Sequence, residues 1–128
     1  MLLLVAAAVL AGCRGYGDVS KAVPLNEKDS GKSIDVFVTQ VLIITLPANH
    51  TTPYHWVLTQ EPNPAVLEKV ANTYEAEDGP PGTGGSEIWR FRAIGEGSAQ
   101  LQLDYVAVDG GPATGDRFSL SVRAQEGG

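Results

Sequence analysis

Short segments in which apolar and polar residues alternate constrain the fold of this chain more strongly than any other feature. In the clearest of them, QLQLDY at residues 100–105, Leu101, Leu103 and Tyr105 fall on one face and polar residues on the other. Successive side chains of a β-strand point to opposite faces, so this period of two predicts a strand with one buried face.

Other segments after residue 32 have the same character. They are rich in β-branched residues or alternate in polarity, and they are SIDVFV (33–38), VLIITL (41–46), HWVLTQ (55–60), EIWRFRAI (87–94) and RFSLSV (117–122). Residues 65–76 are ambiguous, because Val66, Leu67 and Val70 suit a helical turn whereas residues 70–74 suit a strand. Six or seven short strands between Gly, Pro and Asn turns predict an all-β fold, an antiparallel β-sandwich with two sheets around one core.

The first thirteen residues, MLLLVAAAVLAGC, predict a signal for export rather than a part of the fold. An apolar run too short to span a bilayer is followed by small residues and by Cys13, the only cysteine of the chain. Leu10-Ala11-Gly12-Cys13 resembles the bacterial lipobox, in which cleavage precedes a cysteine that then receives a lipid. We therefore expect a lipoprotein signal peptide at 1–12, a lipidated Cys13 with a flexible tether at 13–32, and one domain at 33–128. Residues 23–25 are the part of the tether that we expect to be ordered.

The formal net charge of −6 limits the partners of the chain. An acidic chain without a basic cluster is not expected to bind nucleic acid or to adhere electrostatically to a membrane. Acyl chains on Cys13 would provide the membrane attachment instead. The predicted location is outside the bacterial inner membrane, lipid-anchored and facing the periplasm or the cell exterior.

Three connections between the predicted strands carry unusual side chains or glycines. They are NHTTPYHW (49–56), GTGG (82–85) and VAVDGGPATGD (106–116). Alternate connections of a sandwich emerge at the same end, so these three loops are predicted to lie together, where they could bind a partner.

The two histidines, His50 and His55, do not predict catalysis. Both lie in one loop, and no Gly-x-Ser-x-Gly motif accompanies them. A zinc site would need further ligands at local spacing, and none is evident. We therefore interpret both as solvated loop residues and expect neither a catalytic residue, nor a metal, nor a cofactor.

The chain resembles the chagasin family of cysteine-peptidase inhibitors, which are immunoglobulin-like domains. The first loop of that family reads Asn-Pro-Thr-Thr-Gly-Tyr/Phe-x-Trp, and residues 49–56 here read NHTTPYHW. Its second loop, Gly-x-Gly-Gly, is present as GTGG at 82–85, and the strand pattern that follows is present as IWRFRAIGEGSAQLQLDY. The resemblance covers about residues 34–122.

This resemblance implies an immunoglobulin-like sandwich that inhibits papain-family cysteine peptidases reversibly, as a monomer, by blocking the active-site cleft with three loops. Thr51 and Thr52 would approach the catalytic pair of the peptidase, the glycine loop would lie along the non-primed side, and residues 107–109 would close the other wall. Tyr54 and Trp56 would brace the first loop. The implied inhibitory residues are Asn49, His50, Thr51, Thr52, Pro53, Tyr54, Gly82, Thr83, Gly84, Gly85, Ala107, Val108 and Asp109.

The third loop departs from the family and leaves an alternative open. Where the family has Arg-Pro-Trp, this chain has Ala107, Val108 and Asp109. The alternative is an extracytoplasmic binding or envelope-structural lipoprotein that kept the fold without inhibiting a peptidase.

The lipid anchor gives a first prediction. The Cys13→Ala variant should not be lipidated, because no other residue of the chain offers a thiol. Metabolic labelling with a tagged fatty acid checks this, and labelling of the variant equal to that of the wild type would contradict it.

Overall fold

The structure, a computed structural model, describes residues 22–112 and 114–127. It contains eight strands and one short 3₁₀ helix at Glu27–Asp29. The strands are β1 (Ala22–Asn26), β2 (Lys32–Phe37), β3 (Val41–Ala48), β4 (Tyr54–Gln60), β5 (Leu67–Ala76), β6 (Gly85–Ala93), β7 (Gly97–Ala107) and β8 (Arg117–Gln125). No helix in the described ranges is long and apolar enough to cross a membrane.

The strands form two four-stranded sheets, with the orders β1-β3-β6-β5 and β2-β8-β7-β4. Four of the pairings are antiparallel, as the sequence predicts, and they join β3 to β6, β5 to β6, β4 to β7 and β7 to β8. The pairs β1–β3 and β2–β8 are parallel, so both sheets are mixed. The predicted β-sandwich is confirmed, and a purely antiparallel arrangement is wrong for these two pairs.

The N-terminal strand corrects the extent of the predicted tether. Ala22–Asn26 pairs with β3, and Leu25 is 8% exposed within the core. The 3₁₀ helix that follows is capped by the side chain of Asn26, which accepts a hydrogen bond from the backbone N–H of Lys28. The segment 22–32 is therefore folded onto the sandwich, including residues 23–25, which we expected to be ordered. Cys13 and the remainder of the tether lie outside the described residues.

The ambiguous segment is a strand. Leu67–Ala76 forms β5, and Val66, just before it, is buried with Leu67. The register of β5 against β6 shifts between Lys69 and Ala71, and Val70 at this bulge is 44% exposed. A bulge inserts one residue and reverses the phase of the alternation, which explains why the sequence does not show a clean period of two here.

The alternating residues pack between the two sheets as predicted. The inward faces supply Trp89, Phe91, Ala93, Leu101, Leu103, Phe118, Leu120 and Val122, each no more than 5% exposed. Burying one large apolar side chain contributes roughly 1.5–3 kcal/mol, so this layer supplies most of the driving force for folding. Among the described residues, every buried side-chain nitrogen or oxygen has a hydrogen-bond partner.

Two substitutions on β7 separate its faces. Leu103→Asp should cost more than about 3 kcal/mol of unfolding free energy, because it removes a fully buried side chain and places a charge in the core. Gln100→Asp, at an exposed position of the same strand, should stay within about 0.5 kcal/mol of the wild type. Urea unfolding measures both, and equal losses would mean that the inward face is misassigned.

Candidate functional site

Three loops lie side by side at one end of the sandwich. We call them loop 1 (residues 49–53, between β3 and β4), loop 2 (77–84, between β5 and β6) and loop 3 (108–116, between β7 and β8). The side-chain N–H of Asn49 donates to the carbonyl oxygen of Gly82 over 3.0 Å, joining loops 1 and 2. The backbone N–H of Val108 donates to the carbonyl oxygen of Pro53 over 2.9 Å, joining loops 1 and 3. The three loops predicted to share one end therefore form one continuous surface.

Loop 1 is held by hydrogen bonds centred on Asn49. Its Oδ1 accepts from both the backbone N–H (3.0 Å) and the hydroxyl (2.6 Å) of Thr51. Its carbonyl oxygen accepts from the hydroxyl (2.6 Å) and the backbone N–H (3.1 Å) of Thr52. Such turns fix the backbone locally, so both threonines lock the loop through their hydroxyls in addition to their β-branching. Thr51 itself is exposed at the tip.

Glycine is required at two positions where loop 2 enters β6. Gly84 has φ +94, in the left-handed region, and a Cβ there would lie 3.3 Å from the carbonyl oxygen of Ala48. A Cβ on Gly85 would lie 2.1 Å from the carbonyl oxygen of Glu75, which no side chain can tolerate. Loop 2 is further closed by Thr83, whose hydroxyl donates to the carbonyl oxygen of Pro80 over 2.6 Å. The close approach of loop 2 to β5 and loop 1 therefore depends on these glycines.

Loop 3 presents an apolar side chain where β7 ends. Val108 is 60% exposed, beside Asp109, whose carboxylate accepts from the backbone N–H of Gly111 over 3.0 Å. Thr114 returns the loop towards β7 by donating its hydroxyl to the carbonyl oxygen of Tyr105 over 2.9 Å. Val108 and Asp109 are thus exposed, and the two ends of the loop are fixed to loop 1 and to β7.

An ion pair joins the strands below loop 3. The side chain of Arg117 donates to Asp104 Oδ1 over 2.8 Å, and the hydroxyl of Thr59 donates to Oδ2 over 2.8 Å. Partial burial alone raises the pKa of Asp104, but these hydrogen bonds and the charge of Arg117 outweigh it and hold the pKa below its ordinary value of 3.8. Asp104 is therefore ionised at neutral pH and ties β7 to both neighbouring strands.

A buried carboxylate lies directly beneath loop 1. Glu87, on β6, is 2% exposed, and its Oε2 accepts a hydrogen bond from the backbone N–H of Trp56 over 3.0 Å. Its Oε1 accepts from the indole N–H of Trp89 over 3.2 Å. Oε2 also lies 2.9 Å from Nε2 of His50, and because a carboxylate only accepts, His50 donates in this contact. Glu87 thus connects the core to the loop.

Aromatic rings surround this carboxylate. The ring of His50 stacks on Tyr74 with centroids 3.8 Å apart and planes 10° apart, and it lies 4.1 Å from the ring of His55. On the other side Trp56 packs against Tyr105 with centroids 5.1 Å apart, and its indole N–H donates to the carbonyl oxygen of Pro47 over 3.0 Å. Trp56 is 7% exposed, so its ring packs inside the sandwich at the end where loop 1 joins β4.

The environment of the histidines differs from our prediction. Their side chains are only 28% (His50) and 35% (His55) exposed, and Nδ1 of His55 lies 4.0 Å from Oε2 of Glu87. The interpretation of both as solvated loop residues is therefore wrong. Sequence reasoning missed Glu87, although it precedes Trp89 by two residues and so falls on the same inward face as Trp89 and Phe91. The sequence signal for Glu87 was therefore an acidic residue at a position where the alternating pattern predicts a buried side chain.

The fold is an immunoglobulin-like β-sandwich in which three loops joined by hydrogen bonds form one surface at one end. The family model described as Chagasin family peptidase inhibitor I42 matches residues 35–122. The chain belongs to this family. The members of the family are peptidase inhibitors, so the chain is an inhibitor-family protein and not an enzyme. A search of curated proteins finds no match.

Solved structures share the fold. The cysteine protease inhibitor EhICP2 from Entamoeba histolytica aligns with a TM-score of 0.69 at 18% identity, covering 82% of this chain and 96% of that one. Amebosin aligns with a TM-score of 0.58 at 25% identity, covering 81% and 98%. PbICP-C, solved in complex with falcipain-2, aligns with a TM-score of 0.54 at 16% identity, covering 83% and 92%.

Removal of the buried carboxylate should destabilise the domain. Glu87→Ala leaves the buried N–H groups of Trp56 and Trp89 without their acceptor, at about 1–3 kcal/mol for each group. Glu68→Ala on the adjacent strand is the matched control, because its ion pair with Arg92 is about half exposed and contributes less than about 1 kcal/mol. Urea unfolding compares the two variants, and similar losses would show that the Glu87 network does not stabilise the fold.

Proposed function

We propose that this protein inhibits papain-family cysteine peptidases reversibly, by inserting loops 1, 2 and 3 into the active-site cleft. The observation that carries the proposal is the hydrogen-bonded union of the three loops through Asn49–Gly82 and Pro53–Val108. Membership of a peptidase-inhibitor family supports it, as does the name of EhICP2, a cysteine protease inhibitor.

The stiffness of loop 1 suits it to bind a peptidase without being cleaved. A substrate must adapt its backbone to the catalytic groups, whereas Asn49, Thr51 and Thr52 fix this loop by local hydrogen bonds. A loop that is ordered before binding loses less conformational entropy in the complex, which favours affinity. In this proposal Thr51, at the exposed tip, enters the cleft first, and Thr52 and Tyr54 support the loop from behind.

Loop 3 supplies a weaker contact than its counterpart in the family. Val108 offers an exposed apolar side chain, but the loop lacks the aromatic anchor of Arg-Pro-Trp. Loss of an aromatic anchor costs about 2–4 kcal/mol at an interface, or about 30- to 1000-fold in affinity. We therefore infer that inhibition relies mainly on loops 1 and 2.

The lipid anchor is part of the same proposal. The lipobox-like sequence ending at Cys13 supports attachment of the inhibitor to a membrane outside the bacterial cytoplasm. The protein would then bind the peptidase at the cell envelope, and its loops would block the active-site cleft there.

An aromatic residue returned to loop 3 should strengthen inhibition. The wild type should inhibit papain competitively without being cleaved, and Asp109→Trp should lower the inhibition constant by at least about 30-fold relative to Asp109→Ala. Val108 is left unchanged, because a proline there would remove the N–H that donates to the carbonyl of Pro53. Steady-state titration against papain and related peptidases measures these constants.

Asp109→Ala is the matched control, since it removes the same carboxylate contact with the N–H of Gly111 without adding a ring. If neither the wild type nor Asp109→Trp inhibits any of these peptidases at micromolar concentration, the proposal is wrong. The envelope-binding lipoprotein would then be the better interpretation of the same fold.

A further inference from the structure

Two imidazoles and one carboxylate converge beneath loop 1, each from a different part of the chain. His50 comes from loop 1, His55 from β4 and Glu87 from β6. Nε2 of His50 lies 2.9 Å from Oε2 of Glu87, and Nδ1 of His55 lies 4.0 Å from the same oxygen. One ligand atom from each residue can be chosen such that all three lie within 4.8 Å of one another.

We propose that His50, His55 and Glu87 form a binding site for a divalent transition-metal cation of the zinc class. Imidazole nitrogen and carboxylate oxygen are ligands that Zn²⁺ and Co²⁺ accept, and three protein ligands with an open position are a recurrent arrangement for zinc. Ligands about 2.0–2.2 Å from a tetrahedral ion lie about 3.3–3.6 Å apart. The His50–Glu87 pair at 2.9 Å would therefore open by about 0.5 Å, and the His55–Glu87 pair at 4.0 Å would close by about 0.5 Å. Small rotations of the two partly exposed histidine rings can supply this movement.

The carboxylate is oriented for such a role by hydrogen bonds outside the cluster. The backbone N–H of Trp56 and the indole N–H of Trp89 both donate to Glu87, and they can remain when a cation binds. Hydrogen bonds of this kind fix the direction of a metal-binding carboxylate. A cation bound at Nε2 of the neutral His50 ring takes the place of the proton donated to Oε2 of Glu87, and that proton moves to Nδ1 of the same ring, so only this hydrogen bond is lost.

Nδ1 of His55 makes no direct hydrogen bond to Glu87, and the cluster is accessible to solvent. At 4.0 Å, Nδ1 of His55 is too far from Glu87 for a direct hydrogen bond, so this nitrogen is within reach of the carboxylate without being committed to it. The side chains of His50 and His55 are 28% and 35% exposed, which gives a cation access and leaves room for coordinated water.

Metal binding would link loop 1 to the core more firmly than the hydrogen bond does. His50 adjoins Thr51 at the tip, so a cation held by His50 and Glu87 connects the tip directly to β6. This inference does not depend on the proposed inhibition, because the site needs no peptidase to form.

A cobalt titration of the full-length, untagged protein tests the site. The chain has two tryptophans: Trp89 donates its indole N–H to Glu87, and Trp56 donates its backbone N–H to the same carboxylate, so both fluorophores lie beside the cluster. One equivalent of Co²⁺ should quench the emission and produce the visible absorption of a nitrogen- and oxygen-ligated ion, and Zn²⁺ should reverse the quenching. His55→Ala should weaken binding by more than about 10-fold, and His50→Ala combined with His55→Ala should abolish it.

The double variant keeps every other potential ligand of the chain, including Cys13, so binding that persists in it is adventitious. Glu87→Gln, with exposed Glu68→Gln as its matched control, tests the carboxylate while retaining an acceptor for Trp56. Near-UV circular dichroism checks that each variant is folded. Equal quenching of the wild type and a folded double variant, or no saturable Co²⁺ binding by the wild type, would overturn the proposal. Because no peptidase is present, neither result bears on inhibition.

Discussion

The carboxylate of Glu87 is the point on which the loop end of this molecule depends. It lies inside the sandwich, where an unpaired charge would be prohibitively costly, and it is stabilised by donors from three directions. One donor belongs to the neighbouring sheet, one to its own strand and one to loop 1. Packing alone would hold the two sheets together, but it would not fix where loop 1 stands above them. The hydrogen bonds of Glu87 supply that directional constraint.

Further hydrogen bonds join the three loops into one surface. Asn49 organises loop 1 and also donates to loop 2, while Pro53 accepts from loop 3. Asn49 is also held by Tyr105, because its backbone N–H donates to the hydroxyl of Tyr105 over 3.1 Å. The three loops therefore form one connected surface. A partner that binds there would need little change in the conformation of the loops.

Much of the fold could be predicted from the sequence, because strands with one wet face carry a period of two that survives in residues such as Leu101, Leu103 and Phe118. The exceptions have physical causes. The bulge at Val70 reverses the alternation of inward and outward side chains within β5. β1 is five residues long, contains Pro24 and pairs with only one strand, so it lacks the alternating pattern of a central strand. The positions of the loops followed from topology. The pairing of Glu87 with His50 did not, because it joins residues 37 apart through side-chain geometry that no local pattern encodes.

The parallel pairing of β1 with β3 determines at which pole of the sandwich the first described strand begins. Ala22 lies opposite Val41, where β3 begins, and β3 then runs towards loop 1. The chain therefore enters the domain at the pole opposite the three loops, separated from them by the eight residues of β3, or about 26 Å at ~3.3 Å per residue. β8 leads the C-terminal end towards that same far pole. Both ends of the described domain thus lie at one pole and the three loops at the other, so the length of the sandwich separates the loops from either end.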